Sequence, residues 1–479
     1  MNSIKKNFAY NALFQIVNIL IPLVTTPYLS RVLRPKGVGI YSFAYTVAYY
    51  FVTISMLGLY NYGNRSIAKV RENIEERDKI FCEIYAMQIA TTSFTTLVYI
   101  VYLLLFIEDK MAWMLMPYVL SSIFDVNWYF FGVEKFKLTA IRNLLIKIIS
   151  TVCIFIFVRR QSDLLVYGLI MGISFLVAQL SVWPVLLKDI HFKRPNFRNV
   201  IKHIKPNVVL FFPVVAITLY KMMDKIMLGL MINKTQVGFY ESSEKIIQIP
   251  LAFISALGTV MLPRMSNLAV HNDDERGLSY IKISLIIVSA ISASMCFGIM
   301  GVSKEFIPIF YGQGYETCKL LFLILMPSCI AIAFANVIRT QYLIPQEMDK
   351  IYIVSVTIGA TVNLILNALL IPYFESAGAA LGTVSAETFV ALYQMIAIRK
   401  RIPIFEYLFY TTPFLIAGGA MFIILYYLPF NNAGIFVFFI KILLGAIIFL
   451  ALSMIMIFSQ KKRYVKFLGI NISKWRRKQ

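Results

Sequence analysis

Six charged side chains stand in two apolar stretches where charge is expensive. Lys221, Asp224 and Lys225 are spaced i, i+3 and i+4, and Glu241, Glu244 and Lys245 repeat that spacing. In helices, each triplet therefore lies on one face. A charge near the middle of a bilayer costs about 2.5–3.5 kcal/mol on insertion scales, so such residues turn toward a polar cavity or a partner. The signs balance, and two readings stay open. The triplets either pair to lock two helices together, or line a gate whose lysines exchange a carboxylate for a ligand phosphate.

Other cations extend this set: Arg31, Arg142, Lys147 and Arg339. Arg142 and Arg339 also read as anchors whose long stems snorkel to an interface. Lys147 lies inside an apolar segment, with Asp125 as its nearest apparent counter-ion. A cavity lined by Arg31, Lys147, Lys221, Lys225 and Lys245 favours an anionic head group, and a diphosphate suits it.

Little else in the chain could do chemistry. The cysteines (Cys82, Cys153, Cys296, Cys318, Cys329) have no C-x-x-C spacing and no histidines nearby, so neither a disulfide framework nor a metal site is expected. His191, His203 and His271 fall in basic loops, and nothing resembles a hydrolytic triad. No G-x-x-x-x-G-K-[ST] phosphate loop occurs, so no cofactor is expected. Any transport is then secondary, driven by the substrate gradient or by a coupling ion such as H+ or Na+.

The elements that must hold these residues are membrane spans. The 479 residues are 59% apolar and 15% charged, with a mean hydropathy of +0.74. A soluble chain is about 45–50% apolar and about 25% charged. Apolar runs long enough to cross a hydrocarbon layer of about 30 Å recur throughout. They fall near 8–30, 39–62, 81–106, 111–131, 140–158, 163–187, 205–232, 239–262, 280–301, 317–344, 351–373, 376–398, 408–430 and 434–458. The fold class is an all-α polytopic membrane protein of about fourteen spans. The first run follows a basic start but has no cleavage site and exceeds a signal-peptide core, so it reads as a span. Pro22, Pro117, Pro213 and Pro327 lie within spans and predict bends.

Counting both termini and every second loop gives 32 basic residues, against 9 in the opposite loops. Positive flanks stay inside, so both termini are expected in the cytoplasm of a bacterial inner-membrane protein. The net charge of +22 borders the spans and forms no single patch, which argues against a nucleic-acid partner. The tail KKRYVKFLGINISKWRRKQ reads as a membrane-surface anchor. On this topology the seventh span runs outward and the eighth returns, so the two charged triplets are expected at similar depth, able to face each other.

Two short stretches repeat. V-G-I-Y in PKGVGIYSF recurs 199 residues later as V-G-F-Y, and Tyr129 with Glu134 is echoed by Tyr342 with Glu347. Both echoes fit a duplicated six-helix lobe. The expected division is a lobe over residues 1–200, a second over 201–402, and two further helices with a basic tail over 403–479.

TTPYLSRVLRPKGVGIYSFA (25–44) and FDVNWYFFGVEKFKLTAIRNLLIKI (124–148) resemble the Wzx-type polysaccharide flippases, within the superfamily of multidrug, oligosaccharidyl-lipid and polysaccharide exporters. YKMMDKIMLG and VGFYESSEKIIQIP are similar to the same family. One departure is Arg34, which stands where the family usually has glycine before the proline and puts the expected tight turn in doubt.

The resemblance implies two six-helix lobes in a V around a cationic cavity, with helices thirteen and fourteen added. It implies polyprenyl-diphosphate-linked oligosaccharide as the substrate, for O-antigen, capsular or related surface polysaccharide. It also implies alternating access without breaking a covalent bond, so the protein is not expected to be an enzyme. Membrane lipid, a polysaccharide polymerase and chain-length machinery are the other implied partners. The competing readings are a cation-coupled multidrug exporter, which would favour carboxylates in its cavity, and a peptidoglycan-precursor flippase. From another class, a membrane glycosyltransferase or polymerase would need larger external loops than this chain offers.

Overall fold

The computed structural model describes the backbone of residues 2–106, 110–428 and 434–468, and the side chains within them except 2–19, 213, 216, 465, 466 and 468. It forms two compact units, residues 1–238 and 239–479.

The first unit contains α1 (Asn2–Met56), α2 (Leu59–Val70) and α3 (Ile74–Leu105). Two short segments, Lys110–Met114 and Met116–Ser121, and a 3-10 turn at Ser122–Phe124 lead to α4 (Asn127–Gly132). It continues with α5 (Phe136–Phe157), α6 (Leu164–Leu180), α7 (Trp183–Asp189) and α8 (Phe197–Met231). The helix α9 (Lys234–Val270) carries the chain into the second unit. There follow α10 (Asp274–Gly301), α11 (Ser303–Phe310), α12 (Thr317–Leu325) and α13 (Ser328–Ile338), then a π-helical turn, Arg339–Leu343. The unit ends with α14 (Asp349–Ile398), α15 (Ile404–Phe409), α16 (Thr412–Tyr427), α17 (Ile435–Ser459) and α18 (Lys461–Leu468).

Among the described residues, ten helices are long and apolar enough to cross a membrane, or eleven if the pair Phe197–Phe212 and Ile217–Met231, bent by 62°, makes one span. The difference from fourteen has two physical sources. The apolar run 111–131 is a string of short pieces, with Pro117 opening one of them. In addition, α1 and α14 are 55 and 50 residues long, and each covers two of the expected runs. At about 1.5 Å per residue either would be more than twice as long as the bilayer is thick if straight. Each instead contains one non-helical residue, Arg34 (φ 61°, ψ 171°) and Glu375 (φ 51°, ψ −129°). Pro35 follows Arg34 as the first residue of the next helical piece, where a missing N–H costs nothing. Of the other expected bends, Pro327 joins α12 to α13, Pro22 stays inside α1, and the Pro213 side chain lies outside the described residues.

The tight turn before Pro35 is therefore made, although glycine is absent. The conformation Arg34 adopts is essentially glycine-only, and strain of this kind costs about 1–3 kcal/mol. Replacing Arg34 with Gly is expected to raise the thermal midpoint of the purified protein, by the equivalent of about 1 kcal/mol. An unchanged or lower midpoint would show that the turn holds no such strain.

Lipid as solvent explains which side chains point inward. On α3, Phe94, Leu97, Val101 and Leu104 are exposed while Gln88, Thr92, Thr95 and Tyr99 are buried. Two of the buried hydroxyls bond the preceding turn, Thr92 to the Gln88 carbonyl at 2.6 Å and Thr95 to that of Thr91 at 2.9 Å, and Tyr99 donates to the Ala112 carbonyl at 2.7 Å. In α14, Ser355, Asn363, Asn367 and Gln394 are likewise inside, and Leu364, Ile365 and Leu369 face outward.

The repeated stretches fold alike. At the end of α4 the Lys135 N–H bonds the Phe130 carbonyl at 2.8 Å and the Glu134 N–H bonds that of Phe131 at 3.1 Å. After the π turn, Met348 bonds Leu343 at 2.8 Å and Glu347 bonds Ile344 at 3.1 Å. Both are Schellman closures. The left-handed residue is a glutamate in each, Glu134 at φ 60° and Glu347 at φ 54°.

The second unit holds a buried ion pair. Lys441 on α17 donates to Glu305 Oε1 on α11 at 2.7 Å and to the Leu425 carbonyl at 2.8 Å. Both side chains are more than nine-tenths enclosed. Removing one partner strands the other charge, so Lys441→Met or Glu305→Leu alone should cost about 3–5 kcal/mol. The double apolar replacement should be close to neutral, as read by thermal unfolding of the four proteins. Additive losses would show that the two charges do not act as a pair.

At the end of the chain, Tyr464 of α18 donates to the Tyr410 carbonyl at 2.6 Å, and Phe467 stacks on the Tyr410 ring at 3.7 Å. Burial pushes the Tyr464 phenol up to about 12. Lys461, Lys462 and Arg463 are left exposed. Residues 469–479 of the basic tail lie outside the described residues.

Candidate functional site: a buried polar network in the first unit

The string of short helices between α3 and α5 is held open by side chains that take its freed backbone groups. Gln88 donates from Nε2 to the carbonyls of Ser122 (2.8 Å) and Asp125 (2.9 Å), and accepts at Oε1 from the Trp128 indole at 2.9 Å. Trp183 donates to the Phe124 carbonyl at 3.0 Å. Such substitution is what lets irregular backbone survive at membrane depth. It places Asp125 and Asn127 in the interior, 3% and 8% exposed.

Asp125 accepts from the backbone N–H of Asn127 at 3.1 Å and from its amide at 2.7 Å, and from the Tyr60 hydroxyl. The other end of the Asn127 amide accepts from Arg142 Nη2 at 3.1 Å. Arg142, also 8% exposed, donates further to Asn143 Oδ1 (2.7 Å from Nη2, 3.1 Å from Nε) and to Gln179 Oε1 (3.3 Å). The guanidinium fork is thus satisfied mainly by neutral amides, with the carboxylate one residue further away. Its positive charge is fixed in place and spent on no direct ion pair among the described residues. A preorganised guanidinium in a site of low dielectric is suited to an anion.

The expected cations are distributed as follows. Arg31 is exposed on α1, with Nη1 3.5 Å from the Pro27 carbonyl. Lys147 is half-buried on α5, five residues beyond Arg142, while Asp125 engages Tyr60 and Asn127. On α8, Asp224 and Lys225 are buried and Lys221 is exposed. In the second unit Lys245 pairs with Glu241 at 3.1 Å on the same helix, and Glu244 is half-buried. Arg339 lies in the π turn with its guanidinium 5.6 Å from the Tyr352 ring centre.

Tyr60, Gln88, Asn127 and Gln179 were not among the expected site residues. Their signal in the sequence is faint, being uncharged polar side chains inside or beside apolar runs. No group of three or more metal-binding side chains occurs among the described residues.

This all-helical, multi-pass membrane protein, with a buried polar network around Asp125 and Arg142, has the fold of known transporters. The solved structure of the lipid II flippase MurJ in an inward closed conformation matches with a TM-score of 0.74 at 16% identity, covering 94% of this chain and 98% of that one. An inward-facing multidrug resistance MATE transporter matches at 0.61 and 14%, covering 81% and 95%. The chain belongs to the polysaccharide biosynthesis protein family, whose model matches residues 4–269. The resemblance to Wzx-type members of the exporter superfamily is thereby borne out. A putative O-antigen transporter of Escherichia coli is 24% identical over 405 residues, 83% of this chain and 97% of that protein.

Proposed function

We propose that this protein is a flippase that moves polyprenyl-diphosphate-linked oligosaccharide repeat units from the cytoplasmic to the outer leaflet for surface polysaccharide assembly. The observation that carries the reading is the buried Arg142, held open by amides inside a family concerned with polysaccharide biosynthesis. A diphosphate cannot enter hydrocarbon unaided, and fixed guanidinium and lysine charges offset the loss of its hydration. The sugars travel with it, and the lipid tail stays in the bilayer. Two six-helix lobes of an overall fourteen-span chain rock around this cationic cavity, opening it first to one face and then to the other. No covalent bond of the passenger is broken.

The test is deletion of the gene followed by measurement of surface polysaccharide and of lipid-linked units in the inner leaflet. Loss of the first with accumulation of the second is expected. Unchanged polysaccharide would overturn the reading. Robust drug efflux with normal glycan would instead favour a cation-coupled multidrug exporter.

A further inference from the structure

The second unit contains a cavity of about 300 Å³ at the ends of α9 and α10. Its mouth carries Asp273, Asp274 and Arg401, and its wall is formed by Gln341, Tyr342 and apolar groups of α9 and α10. Gln341 is 1% exposed, and neither end of its amide has a hydrogen-bond partner. It sits in the π-helical turn Arg339–Leu343. An unmatched buried amide is costly, and π turns concentrate at functional sites.

The internal repeat shows what this position is when it only packs. The spacing that sets Tyr129 against Tyr342 and Glu134 against Glu347 sets Trp128 against Gln341. In the first unit the Trp128 indole fills its place completely and its N–H is matched by Gln88. In the second, a smaller side chain lines the cavity and carries a donor and an acceptor side by side, both enclosed and without partners.

We propose that this cavity binds a phosphopolyol head group, with two neighbouring hydroxyls on the Gln341 amide and the ester phosphate at Arg401. A hydroxyl pair both donates and accepts, which is what a carboxamide requires. Arg399, Lys400 and Arg401 follow one another at this end and favour an anion. Asp273 is already engaged, capping α10 and pairing with Arg276 at 3.4 Å. The Asp274 carboxylate at the mouth accepts from a hydroxyl and repels a bare phosphate, so the site selects the polyol part as well as the charge. Phosphatidylglycerol supplies this chemistry from the membrane, and glycerol 3-phosphate supplies it from solution.

The experiment uses the full chain purified in detergent. Retention of short-chain phosphatidylglycerol is compared, by native mass spectrometry, with that of phosphatidylmethanol, which has the same charge and no hydroxyl pair. The wild type should retain the first roughly fivefold to tenfold more strongly, as one or two hydrogen bonds to a buried amide provide. Gln341→Leu removes the amide. Gly277→Val narrows the cavity from α10, where a Cβ would meet only Met265 Cε at 3.6 Å and leave the backbone undisturbed. Both variants should lose the preference. Displacement by glycerol 3-phosphate would assign the site to a soluble ligand, and its failure would assign it to the lipid. Equal retention of the two lipids by the wild type with no displacement, or a preference that survives both substitutions, would overturn the proposal.

Discussion

Replacing Arg142 with Gln is expected to lower surface polysaccharide at least about tenfold while leaving the protein at normal abundance in the membrane. Glutamine keeps some hydrogen bonding to Asn127, Asn143 and Gln179 but removes the charge, so the readout separates anion binding from packing. A tenfold loss corresponds to about 1.4 kcal/mol, well within what one charged hydrogen bond contributes. Arg142→Lys should be intermediate, because the ammonium keeps the charge but cannot span three amides as the planar fork does. Arg142→Ala should both lose export and reduce abundance, since it takes away the donor to Asn127 Oδ1 inside the unit, while Gln179 Oε1 keeps the Asn127 amide at 3.1 Å. Full export by the Gln variant would show that the charge takes no part.

The second large effect concerns the repeated V-G motif. Gly39 of V-G-I-Y and Gly238 of V-G-F-Y lie against each other within the first unit. A Cβ on Gly39 would fall 1.6 Å from the Lys234 carbonyl oxygen, and one on Gly238 would fall 1.9 Å from that of Pro35. These obstacles are backbone, so neither can rotate away. Gly39→Ala and Gly238→Ala should each destabilise by about 1–3 kcal/mol or more, the range for overpacked sites. The double variant should cost less than the sum, since the first alanine already forces the two segments apart. Thermal unfolding of the three variants checks this. Strictly additive losses would show that the two glycines do not share one contact.

How much of this could be read beforehand varies from residue to residue. Asp125 and Arg142 stood out because a charge inside an apolar run is expensive and therefore conspicuous. Asn127, Gln88 and Gln179 complete their network, yet an uncharged amide barely changes the hydropathy of a window. The run at 111–131 was legible only as a span bent at Pro117, and its division into short pieces was not, for a similar reason. Hydropathy reports what a segment dissolves in and says nothing of whether its carbonyls are answered by its own helix or by Gln88 and Trp183. Charge and proline near residue 34 suggested a loop, but one left-handed residue before a helix-starting Pro35 suffices to turn the chain. The echo of Tyr129 and Glu134 in Tyr342 and Glu347 was legible as letters, and its meaning as a shared helix ending was not, because a glutamate at positive φ carries no propensity signal.

The pairing of Lys441 with Glu305 also bears on how the protein is made. A lysine at the seventh position of α17 opposes that segment's entry into lipid on its own, and its counter-charge lies 136 residues earlier in the chain. The burial of α17 is therefore expected to follow the placing of Glu305 on α11, the segment that receives its lysine. A truncated chain ending before α17 would carry Glu305 without its cation and be marked for degradation by that buried, unanswered charge.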